Sequence, residues 1–293
     1  MKRRSWFRET VQNRVGQIVR IEDVLLSERT PFQQIEVLQT GQFGRVLVLD
    51  GAINVGEKDE FIYHEMLTHV PLLVHPHAEN LLVIGGGDGG VVREALKHQV
   101  ARIDLVEIDS RVIEISRQYL PDVSCGLDDP RVNVHVDDGA HFLEKAESAY
   151  DIIIVDSTDP MGVGAVLYGE PFYRHVYRAL RDGGIVTTQT ESPFFDQDII
   201  RDLYPKLRSL FPLVRTYFAP VPFYPGVYWS FAFCSMGLDP IEDFAPSSVS
   251  THPLETRYYD EKVHRAAFVI PKCFRELLDN EEASPSCRVT APG

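Results

Sequence analysis

Cysteine is scarce in this chain, four in 293 residues, and Cys125, Cys234, Cys273 and Cys287 lie far apart with no C-x-x-C pair among them. Such spacing argues against a disulfide framework and reads as free thiols in a reducing compartment. Long apolar runs are missing as well: no stretch approaches the roughly 20 residues of a membrane span. The basic start MKRRSWFRETVQNRVGQ lacks the apolar segment of a signal peptide, so a cytoplasmic location is expected. Positive charge is in deficit, with 29 Lys and Arg against 43 Asp and Glu and a net charge of −14. That balance disfavours nucleic acid and anionic membrane as partners and mildly favours cationic ones. A zinc-protease motif is also lacking. His64-Glu65-Met66-Leu67-Thr68-His69 is one residue longer than H-E-x-x-H. The second His therefore turns off the helix face that holds the first, and His75 and His77 do not restore a metal site; no metal is expected.

What is present divides in two. Residues 15 to 55 read as short strands, Ile18–Leu26, Phe32–Leu38, Arg45–Leu49 and Ala52–Val55, separated by turn signals at Thr40-Gly41, Phe43-Gly44 and Asp50-Gly51. With no helix between them they predict a small antiparallel unit, residues 1–56, that must pack on the rest of the chain or on a second subunit. Lys58–Val70 reads as a helix with Phe61, Met66, Leu67 and Val70 on its apolar side, and Pro71 should end or kink it.

From residue 57 onward a catalytic unit is expected to run to the end of the chain, with a polar tail after Asp279 that reads as disordered. Strands are predicted at Leu81–Ile84, Arg102–Glu107, Val132–Val136, Asp151–Val155 and Gly184–Gln189. Helices are predicted at Gly89–Lys97, Ser110–Leu120, Ala140–Glu147, Glu170–Leu180 and Asp196–Leu210. This alternation implies an α/β fold with a mostly parallel sheet covered on both faces. Val214–Ala219 and Tyr228–Cys234 have no helix between them and should close one sheet edge as an antiparallel hairpin, which makes this a Rossmann-like, methyltransferase-type sheet. Glu255–Leu278 reads as a final helical segment.

The centre of this pattern is Leu81–Asp109. An apolar strand runs into Gly85-Gly86-Gly87-Asp88-Gly89-Gly90, then a helix, then a second strand that ends near Glu107. Glycines permit the sharp turn and a close approach to a ligand, and an acid about 20 residues on suits a ribose. Asp88 is the informative residue, because a carboxylate in such a loop repels the pyrophosphate that the loop would otherwise bind. Either it caps the helix or the ligand brings a positive charge. In a doubly wound sheet, ligands sit beyond the strand ends where strand order reverses. The strand ends supply Asp88, Glu107, Asp138 and the pair Asp156 and Asp159 to one crevice. Carboxylates so gathered repel one another unless a cation joins them.

These segments resemble the polyamine aminopropyltransferases, the spermidine synthase family, over nearly the whole length. The resemblance rests on Thr30-Pro31-Phe32-Gln33, Asp59-Glu60-Phe61-Ile62-Tyr63-His64-Glu65-Met66, the Gly85–Gly90 turn, Glu107-Ile108-Asp109 and Asp138-Gly139. It continues through Asp156-Ser157-Thr158-Asp159-Pro160, Phe223-Tyr224-Pro225-Gly226, Tyr258-Tyr259 and His264-Arg265-Ala266-Ala267-Phe268. It implies aminopropyl transfer from decarboxylated S-adenosylmethionine, a cosubstrate, to a diamine, usually putrescine, without metal or bound cofactor, in a homodimer or homotetramer. By position, Gln33, Glu107, Asp138 and Gly139 would hold the nucleoside, and Asp88 the amine of the donor. Tyr63, His64, Asp159 and Tyr224 would line the diamine channel, and Asp156 would be the base. The chain departs from the family pattern at Gly56, where Thr is frequent, and at Val163, where Asp-Pro-x-Gly is usually followed by Pro. Two other readings share these residues: a methyltransferase acting on a polyamine with intact S-adenosylmethionine, and a polyamine-binding protein without catalysis. Asp88 argues against the first, since the intact donor adds a carboxylate beside its amine. The acceptor itself, whether putrescine, cadaverine, agmatine or spermidine, is left open.

Overall fold

Hairpin signals near the start and strand–helix alternation after it become two separate sheets in the computed structural model, which describes residues 6–12, 14–158, 160, 162–245 and 254–278. Asp159, Met161, the Val163 side chain, Cys287 and the tail after Asp279 lie outside the described residues. Strands β1 (Trp6–Val11), β2 (Val15–Arg29), β3 (Gln34–Thr40), β4 (Gly44–Leu49) and β5 (Ala52–Gly56) pair antiparallel in chain order. The Asp50-Gly51 signal holds: both residues take positive φ, 47° and 86°, in a two-residue turn that pairs Leu49 with Ala52. Strand β1 is an addition to the expected set. Its inward residues are Phe7 and Glu9 and its outward ones Trp6 and Arg8, an alternation too short and too mixed in polarity to read as a strand.

The departure at Gly56 has a steric cause. A Cβ there would stand 2.6 Å from Asp59 Oδ1 and 2.7 Å from the Phe223 ring, and Asp59 Oδ2 accepts the Phe223 N–H at 3.0 Å. Phe223 in turn stacks on Phe43 at 3.7 Å between centroids. The end of the small sheet, the following helix and the loop that carries Tyr224 therefore meet at one glycine.

The second sheet is formed by β6 (Asn80–Gly85), β7 (Arg102–Glu107), β8 (Val132–Val136), β9 (Tyr150–Asp156), β10 (Leu180–Gln189), β11 (Leu213–Pro220) and β12 (Tyr228–Ser235), in the order β11-β12-β10-β9-β6-β7-β8. Pairing is parallel except at β12, which runs antiparallel to both β10 and β11. Strand order reverses between β6 and β9, where Gly85 lies opposite Asp156.

Successive β6 residues alternate between two cores, Leu81 and Val83 on one face and Leu82 and Ile84 on the other; Ile152–Val155 of β9 alternate likewise. The first core is covered by α1 (Glu60–Leu72), α2 (Gly90–Ala95) and, late in the chain, α8 (Glu261–Ala267). The second is covered by α5 (Gly139–Leu143), α6 (Glu170–Ala179), α7 (Gln197–Leu210) and α9 (Lys272–Leu278). The expected final helical segment is thus two helices, divided before Pro271. Helices α3 (Ser110–Tyr119) and α4 (Pro121–Ser124) pack Val112, Ile115 and Val123 against Ile35, Val37, Leu47 and Leu49, joining the small sheet to the large one.

One expectation for α1 needs correction. It is not one-sided: nearly every residue from Glu60 to Leu72 is buried, and Phe61 is only half-buried under the Arg257 guanidinium. The helix also runs one residue past Pro71, ending at Leu72, and the Leu67 carbonyl, which Pro71 cannot serve, accepts the Thr187 hydroxyl at 3.1 Å instead. Replacing Thr187 by Val should therefore lower the unfolding free energy by about 1–3 kcal/mol, the cost of a buried carbonyl left unpaired. Adding Pro71→Ala, which restores an N–H for that carbonyl, should recover most of the loss in urea denaturation. Additive losses would contradict the explanation.

Candidate active site

The turn after β6 comes so close to β9 and α1 that side chains are excluded from it. Gly86 sits at φ +68°, and a Cβ on it would lie 2.8 Å from Asp156 Oδ2. A Cβ on Gly90 would lie 2.2 Å from the His64 ring. Asp88, between them, is buried, and the positive charge it meets belongs to the protein itself. Its Oδ1 accepts the Gly90 N–H at 2.7 Å, a turn-closing bond, and lies 3.3 Å from His64 Nε2. Its Oδ2 takes part in no hydrogen bond among the described residues.

Asp156, at the end of β9, accepts the Tyr63 hydroxyl on Oδ1 at 2.8 Å, while its buried Oδ2 has no partner among the described residues. Burial, reinforced by the charge of Asp88, raises its carboxyl to about 6, although His64 and Tyr63 pull the other way. Glu107, at the end of β7, is raised to about 7 by burial, against the Gly87 and Asp109 N–H groups that it accepts at 3.2 and 2.9 Å. Asp88 goes the opposite way: burial opposes ionisation, but the adjacent His64 cation outweighs it and lowers the carboxyl. His64 is itself raised well above the usual imidazole range, because Asp88 and Glu60 together overcome its burial.

One cavity gathers most of the residues singled out in the sequence: Gln33, Tyr63, His64, Asp88, Glu107, Asp138, Gly139, Asp156 and Tyr224 all line it. Asp159 lies outside the described residues. Gln33 is buried and donates its amide to Asp109 Oδ2 at 3.1 Å. Asp138 differs from the other acids in being exposed, at the rim, where it caps α5 by accepting the Ala140 N–H at 2.8 Å. Of the four strand ends expected to present a carboxylate, two give buried ones, Asp88 and Glu107, one gives the half-buried Asp156 with its Oδ2 shielded from solvent, and one gives a solvated cap. Apolar walls come from Ile84, Val106, Val112 and Leu167.

A second cavity adjoins the first across Asn54, Tyr63, Ser157, Thr158 and Tyr224. Tyr63 and Tyr224 therefore face both, with the Tyr224 hydroxyl donated to the Asn54 carbonyl at 2.7 Å, whereas His64 faces only the first. The second cavity brings in Glu9, Gln189, Glu191, Asp196 and Trp229, none of which was singled out. Gln189 and Glu191 stand at the carboxyl end of β10, so the rule that found Asp88 and Asp156 could have found them. Glu9 could not be found that way, since it enters from β1.

His64, Asp88 and Asp156 bring ligand atoms within 4.8 Å of one another, close enough for a metal ion. The donor set suits an organic cation better, because both His64 ring nitrogens already face carboxylates and an imidazolium has no lone pair to offer. Among the described residues, no helix is long and apolar enough to cross a membrane.

Comparison with known proteins agrees with this geometry. Residues 60–241 match the family model for the spermine/spermidine synthase domain, and residues 5–57 match that for the spermidine synthase tetramerisation domain. A polyamine aminopropyltransferase of Shouchella clausii is 44% identical over 274 residues, 93% of this chain and 98% of its own length. Another, from Moorella thermoacetica, is 45% identical over 279 residues, 94% and 97% of the two chains. A crystal structure of spermidine synthase in complex with the transition-state analogue AdoDATO superposes with a TM-score of 0.91 at 41% identity, covering 94% of each chain. That of spermidine synthase from Thermotoga maritima superposes at 0.88 with 39% identity, again over 94% of each chain. The chain belongs to the spermine/spermidine synthase family, the polyamine aminopropyltransferases.

Proposed function

We propose that this protein transfers the aminopropyl group of decarboxylated S-adenosylmethionine to putrescine, giving spermidine and 5′-methylthioadenosine. The observation that carries this reading is the buried Asp156 Oδ2, without a partner among the described residues, at the strand-order reversal and beside Asp88 in the first cavity, next to the Tyr63 and Ser157 wall that the two cavities share. The first cavity takes the donor: Glu107, Gln33, Asp138 and Gly139 hold the nucleoside, the apolar walls its base, and Asp88 Oδ2 the amine of the aminopropyl arm. The second takes the diamine, with its methylenes beside Tyr63 and Tyr224 and its far ammonium among Glu9, Glu191 and Asp196. We assign no resident metal or cofactor, and we place the chain in a homo-oligomer, dimer or tetramer, in the cytoplasm.

A diamine nitrogen with the pKa of a lysine amine, ~10.4, is neutral in roughly one molecule in a thousand at pH 7. Asp156 Oδ2 takes the proton, and the freed lone pair attacks the carbon next to the sulfonium. The N–C bond forms as the C–S bond breaks, and the leaving group departs as a neutral thioether. Sulfonium leaves readily, so the site supplies alignment and one proton acceptor.

Two outcomes follow. Asp156→Asn should lower turnover by about 10²–10⁴-fold, the scale of a general base, while circular dichroism stays unchanged. In the parent, kcat/KM for the donor should fall as pH drops through about 6, where Asp156 becomes protonated. Near-normal turnover in the variant would remove Asp156 as the base. The same raised carboxyl has a stability consequence of fixed sign. The unfolded carboxyl titrates near ~3.9, so between there and about 6 the folded state binds the extra proton and loses stability as pH rises. Without its ligand, the parent should therefore lose melting temperature relative to Asp156→Asn as pH goes from about 4 to about 7; parallel curves would contradict the burial argument.

A further inference from the structure

Glu60 and Arg93 line neither cavity, yet they continue a line of alternating charge that begins inside the first. His64 Nε2 lies 3.3 Å from Asp88 Oδ1, and His64 Nδ1 lies 2.5 Å from Glu60 Oε2. Arg93 grips both oxygens of Glu60, Nη1 to Oε1 and Nη2 to Oε2, each at 2.9 Å. Glu60 and His64 are buried, and the Arg93 side chain is 17% exposed. The absent side chain of Gly90 lets the start of α2 press against the His64 ring, so the imidazole has no room to swing away.

Resting on the function proposed above, we infer that Glu60 and Arg93 are positioning residues for the transfer. They fix His64 as a donor at both ring nitrogens, so that Asp88 spends Oδ1 on His64 and Gly90 and presents Oδ2 to the amine of the donor. A buried imidazole next to Asp88 alone would tend to pass its proton away, since burial disfavours charge. A second carboxylate on the opposite nitrogen prevents this, and a bidentate Arg keeps that carboxylate ionised and in plane. The four groups sum to no net charge, which makes the line tolerable in a dry interior. The charged and titratable groups that face His64 are Asp59 at the N-cap of α1, Glu60 and Tyr63 on α1, Asp88 on the turn, Arg93 on α2 and Asp156 at the end of β9. With Glu60 intact, His64 stays cationic across the assay range. With Glu60 neutral, Asp88 alone opposes the burial, and the proton should leave at a lower pH than in the parent.

The test compares the parent with Glu60→Gln against two ligands, decarboxylated S-adenosylmethionine and 5′-methylthioadenosine, which lacks the amine. At about pH 8.5 the variant's KM for the donor should rise about tenfold, the scale of loosening one charge-assisted hydrogen bond. Its kcat should stay within about threefold and its affinity for 5′-methylthioadenosine should match the parent's, and the KM defect should shrink toward pH 6. Equal weakening of both ligands, or a donor KM like the parent's at both pH values, would overturn the inference. If Glu60→Gln melts before assay, Arg93→Lys carries the same comparison, since it keeps the charge and loses the two-point grip. ¹⁵N NMR of the His64 ring, assigned by its absence in His64→Gln, reads the same proton without turnover. His64 should stay doubly protonated to about pH 8.5 in the parent and lose its proton at a lower pH in the variant; identical titrations would overturn the inference. A parent that makes no spermidine would end the proposed function, while this titration would still decide the positioning role.

Discussion

Burying like charges at the ends of neighbouring strands is the constraint on which the rest of this structure depends. Asp88, Asp156 and Glu107 end up together because β6 lies between β7 and β9, and all three strands point their carboxyl ends the same way. Left dry, such a group cannot remain fully ionised. One member escapes through its pairing with His64, and the other two rise toward neutral pH. A cationic ligand would relieve the conflict, and a ribose hydroxyl would satisfy Glu107, as the proposed function requires.

The surrounding frame serves to hold those three carboxylates still. Helix α1 tolerates burial on nearly all sides because its charged and ring-bearing polar side chains have partners, although the Thr68 hydroxyl has none among the described residues. Glu60 takes Arg93 and His64, Tyr63 takes Asp156, and Glu65 accepts the backbone N–H groups of Arg257, Tyr258 and Tyr259 at 2.7–2.8 Å. His69 lies between Glu94 and His98. One helix thus anchors Asp156, Asp88 and the segment before α8. The small sheet is bound in at the other end through Gly56, Asp59 and Phe223, and it contributes Gln33 to the first cavity and Glu9 to the second.

Much of this was legible in the residues. The Gly85–Gly90 turn, the alternation of strands and helices and the Asp50-Gly51 hairpin are local signals, and local backbone chemistry settles them. Asp88 and Asp156 could be paired in advance because the position of a strand end follows from topology alone. Other features depend on what packs against what. Nothing near Pro71 announces Thr187, 116 positions later, as the donor to the Leu67 carbonyl. Arg93 reads as a surface residue of a short helix until Glu60 is seen across from it. Glu9 belongs to a strand whose alternation is hidden by its own charge. Asp138 was grouped with the buried acids because it follows a strand end, but β8 is the edge strand and leaves it in solvent.

The central claim is that this crevice holds a donor with an amine and no carboxylate, and moves its three-carbon arm. Offering the protein equimolar decarboxylated and intact S-adenosylmethionine together with putrescine, and weighing the products, tests it most directly. The account predicts that putrescine gains an aminopropyl group and that the intact donor remains unconsumed. Putrescine gaining a methyl group instead, or an unchanged diamine with both donors intact, would contradict it.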